Sequence, residues 1–261
     1  MLTKDDIVFE EDLFAHSHIY SQEEVKEVLI ELIRTFVTEL TIKRLDKVII
    51  KKTVIADTEL GIANYKNYTI VLANKVAFCL ADKSSQNYKR SLATLKHELY
   101  HFQDFQNLLI NAVLKRIPEI NDEILDDFYY WSEFFATFST FDICESESLY
   151  SSFESVFRKS DSTDKEKKYY TYRLFGYYLH ENHSKQCDEL VEKYLSNNAL
   201  EQTANSFRSM LQSYPKYTAE QLKNTRLIIS EAIKKQEDIA TYTPVSREDF
   251  LKQLLNKSKR S

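Results

Sequence analysis

The chain has 261 residues, 43% of them apolar and 13% aromatic, which excludes general disorder and allows a sizeable buried core. With 2 Gly and 3 Pro it lacks the residues that hairpin-rich β-proteins and glycine-rich phosphate loops require, so helix should dominate. The net charge of −5, from 35 basic and 40 acidic residues, gives no field for binding a nucleic acid.

The first part of the chain combines a helix with a short sheet. A capping box followed by apolar residues at helical spacing predicts a helix over about 22–40. Runs of β-branched residues predict two strands, at 46–56 and 67–74, joined through Gly61.

Two longer helices are predicted next. An apolar stripe predicts a helix from Tyr88 to about Arg116, which Pro118 ends. Asn121 and the acidic residues after it predict the start of another helix, which reaches about Phe141.

The remainder of the chain has a helical pattern with short polar breaks and no further strand signal. The predicted helices span about 147–158, 165–182, 185–196, 199–213, 218–237 and 246–257. The sequence therefore predicts an α+β, helix-dominated protein, with one domain over residues 1–145 and an all-helical extension over 146–261.

The cysteines and the first residues favour the cytoplasm. Cys79, Cys144 and Cys187 lie far apart and form no C-x-x-C pair, as expected for a reducing compartment without a disulfide framework. The first residues are acidic where a secretory signal would be basic and then apolar, and no apolar run reaches the length of a membrane span. We expect no membrane partner.

One motif carries catalytic chemistry, because His97-Glu98-Leu99-Tyr100-His101 matches H-E-x-x-H. Two histidines four residues apart lie on one helix face, where both imidazoles can bind one zinc ion at about 2.0–2.1 Å. Glu98 lies about 100° further round the helix, where its carboxylate can act as general base toward a water molecule that zinc activates. The motif predicts zinc-dependent hydrolysis of a peptide bond. The alternative is a helix with two surface histidines and an unrelated glutamate.

A catalytic zinc ion needs a third protein ligand. The extended motif with a third histidine is excluded, because Asp104 and Asn107 occupy the places of its glycine and histidine. Glu133 on the next predicted helix is our candidate, because a carboxylate among aromatic neighbours is costly to bury unless something pairs with it. Competing acids near the predicted ends of that helix are Asp126, Asp127 and Asp142.

Neighbouring residues would support this site. Ala136, Thr137 and Thr140 place small side chains on the face of Glu133, so that the helix could approach the motif helix closely. Asp104 shares the face of the two histidines and would hold the second nitrogen of one of them rather than bind the metal.

The motif, the following Glu133-x-x-Ala136 helix and the preceding helix and strands resemble the gluzincin metallopeptidases. The compact order is similar to the minigluzincins and to the small ImmA/IrrE-like metallopeptidases, over roughly residues 20–145. The resemblance implies a zincin-like core of an N-terminal helix, a short sheet, the H-E-x-x-H helix and a glutamate helix. It also implies zinc held by His97, His101 and Glu133, with Glu98 as base.

The expected partner is a protein or peptide substrate. In enzymes of this kind the strand beside the active-site helix binds substrate as an extended chain, which the resemblance assigns to the strand at 67–74. Ten acidic residues and no Lys or Arg lie between Ile117 and Phe157, so a basic peptide is favoured if this segment lines the cleft. A solvated acidic face is the alternative. The helical extension would cap the cleft or recognise a partner.

The predicted helix at 165–182 offers weaker candidates. A tyrosine or histidine from it could stabilise the oxyanion of the reaction, although core packing explains most of these residues. The residues concerned are Tyr169, Tyr170, Tyr172, Tyr177, Tyr178, His180 and His183. The His180-x-x-His183 pair could bind a second metal, or simply lie on the helix surface.

Two other hypotheses stand beside the peptidase. The chain could be a non-catalytic helical interaction or regulatory protein with a relict motif, in which case it would hold no metal. Alternatively the metal is structural, and then His97 is required while Glu98 is dispensable.

Overall fold

The computed structural model describes residues 2–10, 20–52, 54, 60–145 and 147–233. The predicted helix at 246–257 lies outside the described residues, as do the end of the helix predicted at 218–237 and most of the second half of the strand predicted at 46–56. Within the described ranges no helix has the length and apolar character needed to cross a membrane.

Helix dominates the described residues, as the composition predicts, and a small sheet makes the fold α+β. The strands are β1 (Ile7–Phe9), β2 (Lys47–Lys51), β3 (Gly61–Asn64) and β4 (Thr69–Ala73). The helices are α1 (Gln22–Glu39), α2 (Asn74–Ala81), α3 (Tyr88–Val113), α4 (Asp122–Thr140), α5 (Glu147–Arg158), α6 (Asp164–Tyr178), α7 (Lys185–Tyr194), α8 (Asn197–Ser213) and α9 (Ala219–Ala232).

The strands form a mixed sheet in the order β1-β2-β4-β3. β2 pairs in parallel with both β1 and β4, whereas β3 pairs antiparallel with β4, Gly61 lying opposite Leu72. The prediction that Gly61 merely joins two strands was wrong, because Gly61 begins the edge strand β3. This strand has four residues and little β-branched character, so the sequence pattern did not indicate it.

Local sequence signals explain where the main helices begin. At α1 the Ser21 hydroxyl accepts a hydrogen bond from the Glu24 amide, and the Glu24 carboxylate accepts one from the Ser21 amide at 2.7 Å. At α4 the Asn121 side chain accepts from the amide of Ile124 at 3.0 Å. Two short elements, β1 and α2, were not predicted.

The buried apolar side chains form two clusters that meet within α3. Leu95 and Leu99 pack in the cluster that contains the sheet, α1 and α2. Leu108, three turns further along, packs in the cluster that contains α4 to α9. Tyr65 and Tyr100 pack against both clusters. The motif helix is therefore fixed from both sides, while the domain division at residue 145 stays a prediction.

Candidate metal centre

The two motif histidines and Glu133 converge between α3 and α4. His97 Nε2 lies 3.5 Å from Glu133 Oε2, and His101 Nε2 lies 3.6 Å from Glu133 Oε1. One ligand atom from each residue lies within 4.8 Å of the others. Donor atoms bonded to a tetrahedral zinc ion at 2.0–2.1 Å are about 3.4 Å apart, so this donor set is close to the arrangement that the ion requires.

The protonation states of His101 and Glu133 also suit a metal. Burial lowers the pKa of His101 to about 3, against the attraction of the Glu133 carboxylate. Burial alone would raise the pKa of Glu133, but the adjacent His101, His97 and Arg173 outweigh it and lower that pKa to about 2. Neutral imidazoles and an ionised carboxylate are the forms that bind metal ions. Glu133 Oε2 is buried without a hydrogen bond, which a cation at this place would compensate.

Glu98 lies beside the triad, against the bare backbone of β3. Its residue is 6% exposed, and a Cβ added at Gly61 would lie 2.8 Å from Glu98 Cγ and 2.9 Å from Glu98 Oε1. A side chain at position 61 would therefore displace the carboxylate. The absence of a side chain at position 61 leaves the space that the Glu98 carboxylate occupies.

Ser132 holds the second nitrogen of His101. Its hydroxyl lies 2.8 Å from His101 Nδ1 in a buried contact. Asp104, predicted for this role, is fully buried one layer further back, where the Tyr217 hydroxyl donates to its Oδ1 at 3.2 Å. Burial raises the pKa of Asp104 to about 8, opposed by polar groups of Tyr217, Trp131 and Ser132 that face the carboxyl. Ser132, and not Asp104, therefore contacts the second nitrogen of His101.

A cavity of about 660 Å³ opens over the triad. Residues of β3, α3, α4, α5 and α6 line it, and its basic residues are Arg90, Lys165 and Arg173. Of the ten acidic residues between Ile117 and Phe157, only Glu133 lines this cavity. The expectation of a basic peptide depended on this acidic segment lining the cleft, and the segment contributes one carboxylate to the cavity, so that expectation loses most of its basis.

The strand beside this cavity is β3 rather than the predicted 67–74 strand. β4, which corresponds to 67–74, has β2 on one side and β3 on the other, so its hydrogen-bonding edges are both used. Among the described strands β3 lies at the edge of the sheet, and Gly61, Ile62 and Ala63 line the cavity. An added strand could pair with β3 but not with β4.

Arg173 on α6 is the cavity residue that sequence reasoning missed. Its Nε lies 3.7 Å from Glu133 Oε2, and its Nη1 donates to the Tyr169 hydroxyl at 3.1 Å. Gly176, one turn along α6, makes this proximity possible, because a Cβ there would lie 2.9 Å from Thr137 Cβ. A single arginine within a run of tyrosines was the available signal.

Thr137, one of the small side chains of α4, contacts a helix that the prediction did not include. Thr137 lies against Gly176, so that α6 packs closely on α4. This packing brings Arg173 of α6 toward Glu133. At the motif helix Ser132 contacts His101, and the part of Ala136, Thr137 and Thr140 in that approach stays a prediction.

The weaker candidates of the predicted helix at 165–182 separate into two groups. Tyr169, Tyr170 and Tyr177 line the cavity, whereas Tyr172 is 1% exposed and stacks on Tyr130 in the core.

The two histidines that follow α6 make other contacts. The His180 ring stacks on Phe138 and Phe141, and its Nε2 bonds to the Phe138 carbonyl. His183 Nε2 bonds to Asp188 at 2.8 Å. Among the described residues the metal-binding group that forms is His97, His101 and Glu133.

Comparisons of the chain with protein-family models, with curated proteins and with solved structures gave no match. The function is therefore inferred from the geometry of the site.

Proposed function

We propose that the protein is a zinc-dependent peptidase of gluzincin type with a zincin-like core. The observation that carries this proposal is the convergence of His97 Nε2, His101 Nε2 and the Glu133 carboxylate to within 4.8 Å, beside Glu98 and at a cavity. Two imidazoles and one carboxylate are a donor set typical of catalytic zinc, which keeps a further position open for water.

Each residue has a defined task in this proposal. His97, His101 and Glu133 would hold the metal, with Ser132 orienting the imidazole of His101. Zinc, when bound, lowers the pKa of a water molecule and polarises the peptide carbonyl. Glu98 accepts the proton of the attacking water and passes it to the nitrogen of the leaving amine, so that the C–N bond breaks to give an acid and an amine.

The substrate would be a protein or peptide bound in extended form along β3. Gly61, Ile62 and Ala63 of this strand line the cavity, and Gly61 lies next to Glu98, so main-chain pairing with β3 would bring a peptide bond near the triad. The cysteines Cys79, Cys144 and Cys187 are all free, which supports our placing the enzyme in the cytoplasm.

Zinc content tests the proposal directly. We expect one zinc per chain by elemental mass spectrometry of the purified protein, lost in His97→Ala and weakened in Glu133→Gln. His183→Ala and Glu166→Gln are matched controls, since both residues lie outside the triad, and they should retain the metal. Circular dichroism establishes that each variant is folded.

Hydrolysis separates a catalytic from a structural metal. Glu98→Gln should retain zinc and fold but lose about 10²- to 10⁴-fold in turnover of a cleaved peptide, the usual contribution of a general base. A Glu98→Gln variant with full function would favour a structural metal. A folded wild type that binds no zinc after reconstitution would contradict the proposal and favour a non-catalytic interaction protein.

A further inference from the structure

We propose that Arg173 binds a carboxylate of the substrate, so that the enzyme selects peptides carrying a negative charge next to the cleaved bond. This inference rests on the proposed function and names its substrate class. The carboxylate is either the C-terminus of the peptide or an Asp or Glu side chain. Both groups fit the planar fork of a guanidinium, which a carboxylate can engage through two parallel hydrogen bonds.

The charged side chains of the cavity favour an anionic ligand. Its wall carries Arg90, Lys165 and Arg173 against Glu98, Glu133 and Glu166. The Glu166 carboxylate is already used at the start of α6, where it accepts from the Thr163 amide at 2.8 Å and the Thr163 hydroxyl at 2.9 Å. A divalent ion at the triad would leave the cavity with excess positive charge, which attracts an anionic ligand.

Arg173 lies next to the triad, and part of its guanidinium has no hydrogen bond. Its Nε is buried without a hydrogen bond, facing Glu133 Oε2 at 3.7 Å. With a metal bound, Glu133 would have to serve both the cation at the triad and Arg173. An incoming carboxylate supplies the missing negative charge next to the guanidinium, at the place where the substrate must lie.

The aromatic surroundings strengthen such a contact. Tyr169 and Tyr170 line the cavity beside Arg173, and the guanidinium carbon lies 5.5 Å from the centroid of the Tyr169 ring. The Tyr169 hydroxyl fixes one edge of the fork by accepting from Nη1. The Arg173 side chain remains 28% exposed, so a ligand can reach it. Ionic hydrogen bonds gain strength when water is partly excluded in this way.

The other two basic side chains of the cavity are paired with residues outside the triad. Arg90 donates to the Ser148 hydroxyl at 3.0 Å, and Lys165 lies 3.6 Å from the exposed carboxylate of Asp126. Neither pair involves a residue of the triad. Arg90→Gln is therefore a matched control for Arg173→Gln, since each removes one arginine from the same cavity.

The test measures binding rather than turnover. Three peptides are titrated by calorimetry into the zinc-loaded Glu98→Gln protein: acetyl-Ala-Ala-Phe as free acid, the same peptide as its C-terminal amide, and acetyl-Ala-Asp-Ala-amide. We expect a carboxylate-bearing peptide to bind at least about tenfold more tightly than the neutral amide, the usual effect of a charge-assisted hydrogen bond. Adding Arg173→Gln should abolish this preference, and adding Arg90→Gln should not.

The outcomes distinguish the two sources and the two proposals. Preference for the free acid identifies a C-terminal carboxylate, and preference for the Asp peptide identifies a side chain. Equal affinities, no measurable binding, or a preference that survives Arg173→Gln overturns the inference, the last because the metal alone would then bind the carboxylate. Equal affinities in the protein with native Arg173 overturn the inference even if Arg173→Gln fails to fold. In that case Arg173→Lys, which keeps the charge but loses the planar fork, replaces it; the preference should weaken in Arg173→Lys, and an unchanged preference overturns the inference. Zinc content is measured on the same samples, and its absence would remove the proposed function together with this inference.

Discussion

Ser132 connects the candidate metal ligands to the rest of the protein. Its hydroxyl lies 2.8 Å from His101 Nδ1, and it also faces the carboxyl of Asp104 behind it. A proton on Nδ1 donated to Ser132 leaves the Nε2 lone pair directed toward Glu133. The orientation of the imidazole is thus set by a contact on the side away from the metal.

Replacing Ser132 should weaken metal binding without abolishing it. We expect Ser132→Ala to lower zinc affinity by about 10- to 100-fold, because His101 loses the contact that fixes its ring. Competition with a chelator of known affinity measures the change. Ser139→Ala, on the same helix, serves as the control and should bind zinc like the wild type. Equal affinities in the two variants would show that Ser132 does not orient the ligand.

Asp104 should make stability depend on pH. Its pKa, raised by burial to about 8, exceeds the value of about 4 in an unfolded chain, so the folded state keeps the proton longer. The stabilisation is complete below pH 4 and is lost as the pH rises toward 8, at up to about 1.4 kcal/mol per pH unit for one proton.

Asp104→Asn tests this dependence, because an amide does not ionise. Urea unfolding of the metal-free proteins at pH 5 and pH 8 should show the wild type losing stability relative to Asp104→Asn at the higher pH. The exposed Asp142 provides the control substitution, Asp142→Asn. A difference between Asp104→Asn and wild type that does not change with pH would mean that Asp104 ionises normally.

At the scale of elements, the crossing of α4 and α6 decides whether Arg173 reaches the site. Gly176 lies at this crossing, where an added Cβ would be 2.9 Å from Thr137 Cβ and 3.0 Å from the Phe134 carbonyl oxygen. Two of the nearest atoms belong to the α4 backbone, which cannot move as a side chain can. Close contact therefore depends on glycine at this position.

Gly176→Ala should destabilise the protein in spite of the better helix propensity of alanine. Overpacking costs about 1–3 kcal/mol, against a gain of up to about 1 kcal/mol from propensity. We expect a lower urea midpoint with an unchanged m-value, and a weakened effect of Arg173 on peptide binding. Gly61→Ala is the comparison, since its added methyl group meets the movable Glu98 side chain rather than backbone. An unchanged or raised midpoint for Gly176→Ala would show that the helices can separate slightly at no cost.

At the scale of the whole molecule, the helical region is packed into the site rather than attached beside it. Phe134, next to Glu133, stacks on Phe207 of α8 with ring centroids 4.0 Å apart. Asn111 of α3 donates to the Pro215 carbonyl at 2.7 Å, and Tyr217 donates to Asp104. Helix α8 and the loop between α8 and α9 thereby support α4 and α3.

A chain ending at residue 145 should consequently fail to fold. The truncation exposes the apolar faces of α3 and α4 that pack in the second cluster, including Trp131 and Phe134. We expect loss of cooperative thermal unfolding and strong binding of a hydrophobic dye, with full-length protein as the control. A truncated chain that unfolds cooperatively and binds zinc would show that the first 145 residues are an independent domain.

The sequence by itself determined the helix-dominated fold, the main helices and the position of the histidines. These follow from local information: capping residues, apolar periodicity, and the i, i+4 spacing of His97 and His101 on one helix. Glu133 could be named because an acid in an apolar helix face needs a partner.

Only the tertiary structure decided which groups surround the triad. β3 and Arg173 reach the site from elements distant in sequence, with close approaches at Gly61 and Gly176. Ser132 is next to Glu133 in sequence, but it contacts His101 because α4 packs against α3. Such contacts arise from the packing of helices and strands against each other. The hydrophobic periodicity of the sequence shows which face of an element is buried, but not which other element packs against that face.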